Sequence, residues 1–166
     1  MEAARRAVAS DLAAVVGLAE LGIDELEPTR GGPLWARREA RSRPVEPSIL
    51  ADLASPEAVV VVGTIDEVVL GYGVVRFESL RDGAVLGVVH DLYVEPDARG
   101  VGVGEAMMDL VIIECEARGC IGVDAMALPG NRATKNFFER FGLTARAIVV
   151  HRALGLAPPT DPQEPT

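Results

Sequence analysis

Two periodicities divide the chain. Between residues 59 and 95 the pattern is strand-like: residues 59–64 and 68–78 are apolar, β-branched runs separated by Ile65-Asp66-Glu67, and an Asp82-Gly83 turn leads into a third run that ends near Glu95. Runs of this length joined by such short turns predict three consecutive antiparallel strands. The third carries Val85, Leu86, Val88, Val89, Leu92, Tyr93 and Val94, the content of a mostly buried strand, and Pro96 stops it because proline cannot donate to a ladder. From Val103 the spacing becomes helical, through Met107, Leu110, Val111, Glu114 and Ala117, with Gly119 placed to end the helix.

The flanks are weaker in pattern. A short strand is expected over residues 5–9, then a helix from a Ser10 or Asp11 cap to about Leu26. Residues 27–47 hold Pro28, Gly31, Gly32, Pro33, Pro44 and Pro47 and read as loop around a short helix at 35–41, with another short helix at 48–54. Downstream, a strand at 121–127, a helix at 132–141 and a last strand at 145–152 complete a mixed, mostly antiparallel sheet flanked by helices, an α/β (α+β) architecture. The proline-rich stretch 157–162 is expected to be disordered.

Chemistry is concentrated where the third strand hands over to the long helix, in the segment VVHDLYVEPDARGVGVG from Val88 to Gly104. Free amide N–H groups and the positive end of the helix dipole converge at a helix N-terminus, and residues without a Cβ let an anion come close to the backbone. Arg99 adds a cationic donor beside them. A Walker phosphate loop is excluded because no Gly-Lys-Ser/Thr follows. A dinucleotide site fits poorly: the pattern is Gly-x-Gly-x-Gly, and Pro96-Asp97-Ala98 separate strand from glycines. A glycine-rich turn without a ligand stays open as the alternative.

Arg99-Gly100-Val101-Gly102-Val103-Gly104 resembles the Arg/Gln-x-x-Gly-x-Gly/Ala signature of the GNAT superfamily of acyl-CoA-dependent N-acyltransferases, and Leu92-Tyr93-Val94-Glu95-Pro96 resembles the strand that leads into it. A second stretch, from Asn131 to Leu143, is similar to that family's Asn-x-x-Ala-x-x-Phe-Tyr-x-x-x-Gly-Phe helix. The resemblance covers roughly residues 85 to 150. It implies one N-acetyltransferase unit over residues 1–155, with 156–166 as a tail, and a sheet that splays between the strand ending at Val94 and the one beginning near Ile121. Acetyl-CoA is then the co-substrate: its diphosphate on Arg99, Gly100, Val101, Gly102, Val103 and Gly104, its pantetheine arm along Leu92, Tyr93 and Val94, with Asn131 and Asn136 reaching toward it.

Close relatives place a glutamate base in the strand before the glycines; the matching segment here is Val89-His90-Asp91-Leu92. An imidazole suits proton acceptance at neutral pH, which makes His90 the leading base candidate and Asp91, expected on the opposite strand face, its backup. Where many relatives carry a tyrosine acid, this chain has Phe138, which cannot donate a proton. Tyr93 and Tyr72 keep hydroxyls, and Tyr93 joins the catalytic candidates. The acceptor amine is expected near Asp24, Glu25, Glu27 and Trp35, while Arg37, Arg38, Arg41 and Arg43 either bind an anion or pair with nearby acids. A catalytically weak acyl-CoA-binding module is the alternative to an acetyltransferase.

Composition narrows the partners. With 166 residues, 49% of them hydrophobic, the chain is long enough for a substantial core. Its net charge of −9 argues against nucleic acid and suits a cationic acceptor. No membrane span or secretory signal is evident, so cytoplasm is expected. Cys115 and Cys120 are too few for a disulfide framework or a self-contained zinc site, and no metal is expected. A homodimer is compatible with the resemblance.

Overall fold

The computed structural model describes residues 1–155. Five strands, β1 (Glu2–Arg6), β2 (Ala58–Ile65), β3 (Val68–Ser79), β4 (Val85–Val94) and β5 (Gly122–Ala125), form one sheet in sequence order. The first four are antiparallel and β5 runs parallel to β4. Five helices flank it: α1 (Leu12–Leu26), α2 (Gly32–Arg38), α3 (Glu46–Ala54), α4 (Val103–Ala117) and α5 (Arg132–Arg140).

Period-two alternation sorts the strand residues between two cores. Val59, Val61, Val75, Phe77 and Val89 face α4 and α5, where Val103, Met107, Met108 and Val111 are buried. Val60, Val62, Tyr72 and Val74 face α1 and α3, packing on Val15, Leu18, Ile23 and Ile49. The helix α4 lies close on its face because the sheet is bare beneath it. A Cβ on Gly63 would stand 2.6 Å from Val103 Cγ1, and one on Gly87 would stand 2.5 Å from Cys115 Sγ. The expected helix end at Gly119 is present: its φ is +67°, and Cys120 N–H donates to Cys115 O at 3.0 Å.

Three expectations change. The first strand lies at Glu2–Arg6, three residues earlier than 5–9, because the Asp11 carboxylate takes the Val8 N–H at 2.8 Å and Arg5 Nη1 at 2.7 Å, bending the chain into a 3-10 turn at Ala9–Asp11. The short helix lies at Gly32–Arg38 instead of 35–41, started by Pro33 in its first turn. No strand forms over 145–152: Ile148, Val149 and Val150 are each more than 80% exposed, and β5 is tied to this segment by a side chain, Arg146 Nε to Asp124 Oδ1 at 2.8 Å. A continuous apolar run becomes a strand only where both faces find cover, and nothing covers this one among the described residues. The expected disordered stretch at 157–162 lies outside the described residues.

Candidate functional site

The sheet opens where β4 outlasts β5. The parallel ladder joins Leu86, Gly87, Val88 and Val89 to Gly122, Val123, Asp124 and Ala125, whereas β4 runs on to Val94. Opposite β3, Val75 pairs with Val89 and Val74 with Asp91, so His90 is an extra, bulged residue. The bulge reverses the face on which side chains fall. Val85 and Val89 lie on the α4 side before it, and Leu92 and Val94 lie there after it, while Tyr93 joins the α1 side. Glu95 N–H bonds to Leu70 O on the β3 side, so by alternation the main-chain groups of Leu92 and Val94 face the open slot.

At the end of that slot sits the glycine loop. Gly100 and Gly102 have φ of +79° and +98°, conformations that exclude an unstrained side chain. Among the described residues, the amide N–H groups of residues 100 to 105 meet no backbone or side-chain acceptor, and they cluster at the positive end of the 15-residue α4. Gly104 is not demanded by space, since a Cβ there would make ordinary contact with Phe137 at 3.4 Å. A phosphate-bearing ligand fits this donor set, and an extended amide chain fits the unpaired β4 edge.

Arg99 is placed differently from a free cation. Its Nη1 and Nη2 hold Glu25 at 2.8 and 2.7 Å, its Nε donates to Val94 O at 2.8 Å, and the guanidinium stands 5.3 Å from the Tyr93 ring. The hydrogen bond from Arg99 keeps the Glu25 carboxyl below its usual range against the opposing effect of burial. The pair ties the last turn of α1 to the glycine loop. Tyr93 packs against Gly22 of α1, and burial together with the Glu25 charge raises its hydroxyl pKa.

His90 and Asp91 are brought together, not placed on opposite faces, because the bulge breaks the alternation: His90 Nδ1 and Asp91 Oδ1 are 2.7 Å apart. Asp91 Oδ2 also accepts from Arg41 Nε at 2.6 Å and from Tyr72 Oη at 2.7 Å. Arg41, only 7% exposed, extends to Asp52 at 2.6 Å and Ser48 at 3.0 Å, and Arg76 meets Asp52 at 3.0 Å. Burial pushes the Asp91 carboxyl up, but the His90 hydrogen bond and the Arg41 charge outweigh it and bring it from 3.8 down to about 2. Burial and the same carboxylate raise Tyr72 well above its ordinary value.

The remaining candidates are dispersed. Asp24 pairs with Arg43 at 2.6 Å, Glu27 forms no ion pair among the described residues, and Trp35 packs on the α1 core. The acids therefore diverge around the end of α1. Asn131 caps α5, accepting from Thr134 N–H at 3.2 Å, and Asn136 is exposed. Phe138 is 7% exposed within the α4 core. Asp52 was not legible as a site residue, since its partners come from α2's far linker and β3; an acid three residues after Ile49 on the buried side of α3 was the only local signal. A shallow recess at Ala3, Ala4, Arg5, Thr64 and Glu67 lies at the opposite sheet edge.

A sheet splayed beside a helix N-terminus defines a class of α/β proteins that bind a phosphate-bearing, extended ligand. Residues 16–143 match the model of the acetyltransferase (GNAT) family, and the chain belongs to that family, which uses acetyl-CoA. No curated protein sequence matches it. Solved structures with the same fold include AAC(6')-Iy bound to the bisubstrate analogue CoA-S-monomethyl-acetylneamine (TM-score 0.73, 14% identity, 92% of this chain and 97% of that one). Glucosamine-6-phosphate N-acetyltransferase from Arabidopsis thaliana aligns at TM-score 0.65 with 19% identity, over 93% and 99%. An aminoglycoside acetyltransferase from an uncultured soil metagenomic sample, in complex with sisomicin, aligns at 0.70 with 18% identity, over 94% and 97%. Among the described residues, no helix is long and apolar enough to cross a membrane.

Proposed function

We propose that residues 1–155 form an N-acetyltransferase that moves the acetyl group of acetyl-CoA to a primary amine by direct attack in a ternary complex. The observation that carries this reading is the run of unbonded amides at 100–105 beside the unpaired edge of β4. The amides receive the diphosphate, and the Leu92 carbonyl and the Val94 N–H bond the pantetheine amides as a neighbouring strand would, the Val94 carbonyl being held by Arg99 Nε. Leu92 N–H polarises the thioester carbonyl. Arg99 contributes through its backbone and by holding the loop to α1, its side chain being engaged by Glu25. As the amine nitrogen bonds to the carbonyl carbon, the C–S bond breaks, His90 takes the amine proton and the thiolate leaves. Asn136 and the backbone near Asn131 border the coenzyme, and Glu27 with Trp35 borders the acceptor.

Amine-dependent release of free thiol from acetyl-CoA tests this, across aminoglycosides, amino-sugar phosphates, polyamines and peptide N-termini, with mass detection of the acetylated product. Coenzyme binding without transfer to any amine would favour the alternative, an acyl-CoA-binding module of weak activity. That alternative draws its support from Phe138, a residue without a hydroxyl at the place of the usual acid.

A further inference from the structure

The Asp91 carboxylate accepts every hydrogen bond it makes. Arg41 Nε–H has no acceptor capacity, and the raised Tyr72 hydroxyl stays protonated and donates. An ionised carboxylate has only lone pairs to offer, so the imidazole beside it makes this bond as a donor through Nδ1. The carboxylate is itself immobile. Arg41 binds it from the linker between α2 and α3 while also holding Asp52 of α3, whose second guanidinium partner is Arg76 of β3. Two arginines and two aspartates thus balance in charge across α3, β3 and β4, and no buried side-chain polar atom among the described residues lacks a partner.

We infer that Asp91, locked by Arg41 and Tyr72, is a positioning residue that fixes His90 as its Nδ1–H tautomer and leaves Nε2 as the proton acceptor at the slot. The inference rests on the proposed acetyltransferase reading for what Nε2 does, but not for which nitrogen carries the proton. It replaces the role of Asp91 as a backup base: a carboxylate already accepting from three donors has little capacity left for a substrate proton. It also links Arg41 to the site through Asp91, without contact between Arg41 and the substrate.

The experiment is nitrogen-15 NMR of protein labelled at histidine, at a pH where the ring is neutral. The chain has two histidines, and His151→Gln assigns the signals. The expected spectrum gives His90 a protonated Nδ1 and an unprotonated Nε2. In Asp91→Asn, where the amide N–H₂ donates to Nδ1, the pattern reverses, and kcat with an amine that the wild type acetylates falls about 10²- to 10⁴-fold while KM for acetyl-CoA holds. Tyr72→Phe, which removes one donor and keeps the ring, retains the wild-type tautomer. A protonated Nε2 in the wild type, or an Asp91→Asn protein that keeps Nδ1–H, overturns the inference. If Asp91→Asn fails to fold, the wild-type spectrum still decides. Absence of transfer to any amine with Nδ1–H intact sinks the proposed activity and not the tautomer.

Discussion

Gly63 lies two strands away from the slot, yet its bareness sets where the unbonded amides at the start of α4 stand. A Cβ there would be 2.6 Å from Val103 Cγ1 and 3.0 Å from both Cγ and Sδ of Met107. Contacts that short require a shift of about 1 Å, because carbon atoms sit near 3.5–4.0 Å at rest. Met107 is unbranched and yields, but Val103 is 1% exposed, stiff at χ1, and the first residue of α4. Gly63→Ala is therefore expected to cost about 1–3 kcal/mol by overpacking, a fall of about 2–4 °C in Tm per kcal/mol for a chain this size. Val103→Ala alone removes two buried methyl groups, about 1.6 kcal/mol at about 0.8 kcal/mol each, plus the cavity they leave. Combined, the new methyl of residue 63 occupies the space that Val103 vacates. The pair should then lose at least about 1 kcal/mol less than the sum of the single losses, within the usual coupling range for residues in contact. Urea unfolding of the four proteins measures this, and calorimetry with CoA reads the second consequence: weaker binding in Gly63→Ala, recovered in the double variant. A single-variant loss below about 0.5 kcal/mol, or strictly additive losses, would refute the reasoning.

His90→Gln should lower kcat about 10²- to 10⁴-fold and leave KM for acetyl-CoA unchanged; unchanged turnover removes His90 from the mechanism. The carboxyl of Asp91, lowered from 3.8 to about 2, stabilises the fold at pH values above its unfolded pKa and stops doing so as pH falls through about 2. That is worth about 2 kcal/mol, so urea unfolding between about pH 5 and pH 2 should be flatter by that amount in Asp91→Asn, and parallel curves would contradict it. Phe138→Tyr would bury a hydroxyl in an apolar core and should cost about 1–3 kcal/mol without raising kcat. A faster enzyme would mean that the ring tip borders the slot.

The elements legible in the sequence were those whose signals are local. The β2–β3–β4 meander, the helix after the glycines and its Gly119 stop follow from periodicity and turn residues alone. The bounds of the first strand escape periodicity because its end is decided by Asp11 reaching back to Val8 and Arg5, a contact that the local pattern does not encode. The last apolar run reads as a strand in isolation, yet burial depends on what the rest of the chain lays over it. At the site, the glycines declared themselves through spacing, whereas Arg99, Glu25, Arg41 and Asp52 owe their places to partners 11 to 74 residues away.

One added residue accounts for much of the site. Were His90 paired as an ordinary member of the ladder, strict alternation would carry the odd-numbered face of β4 onward, and Asp91 and Tyr93 would point toward α4 with Val89. The bulge instead sends them toward α1 and α3, where Arg41 and Tyr72 meet Asp91 and Arg99 stacks on Tyr93. It also bends the strand at the position where pairing to β5 stops. Opening of the slot, exposure of the Leu92 and Val94 main chain, and contact between His90 and Asp91 are thus consequences of a single local irregularity. Deleting His90 should therefore remove the bulge and its bend while Asp91, then next to Val89 in plain alternation, stays opposite Val74 on the α1 side, whereas His90→Gln keeps the bulge. Calorimetry should show weaker CoA binding in the deletion than in His90→Gln, and equal binding would contradict this role of the bulge.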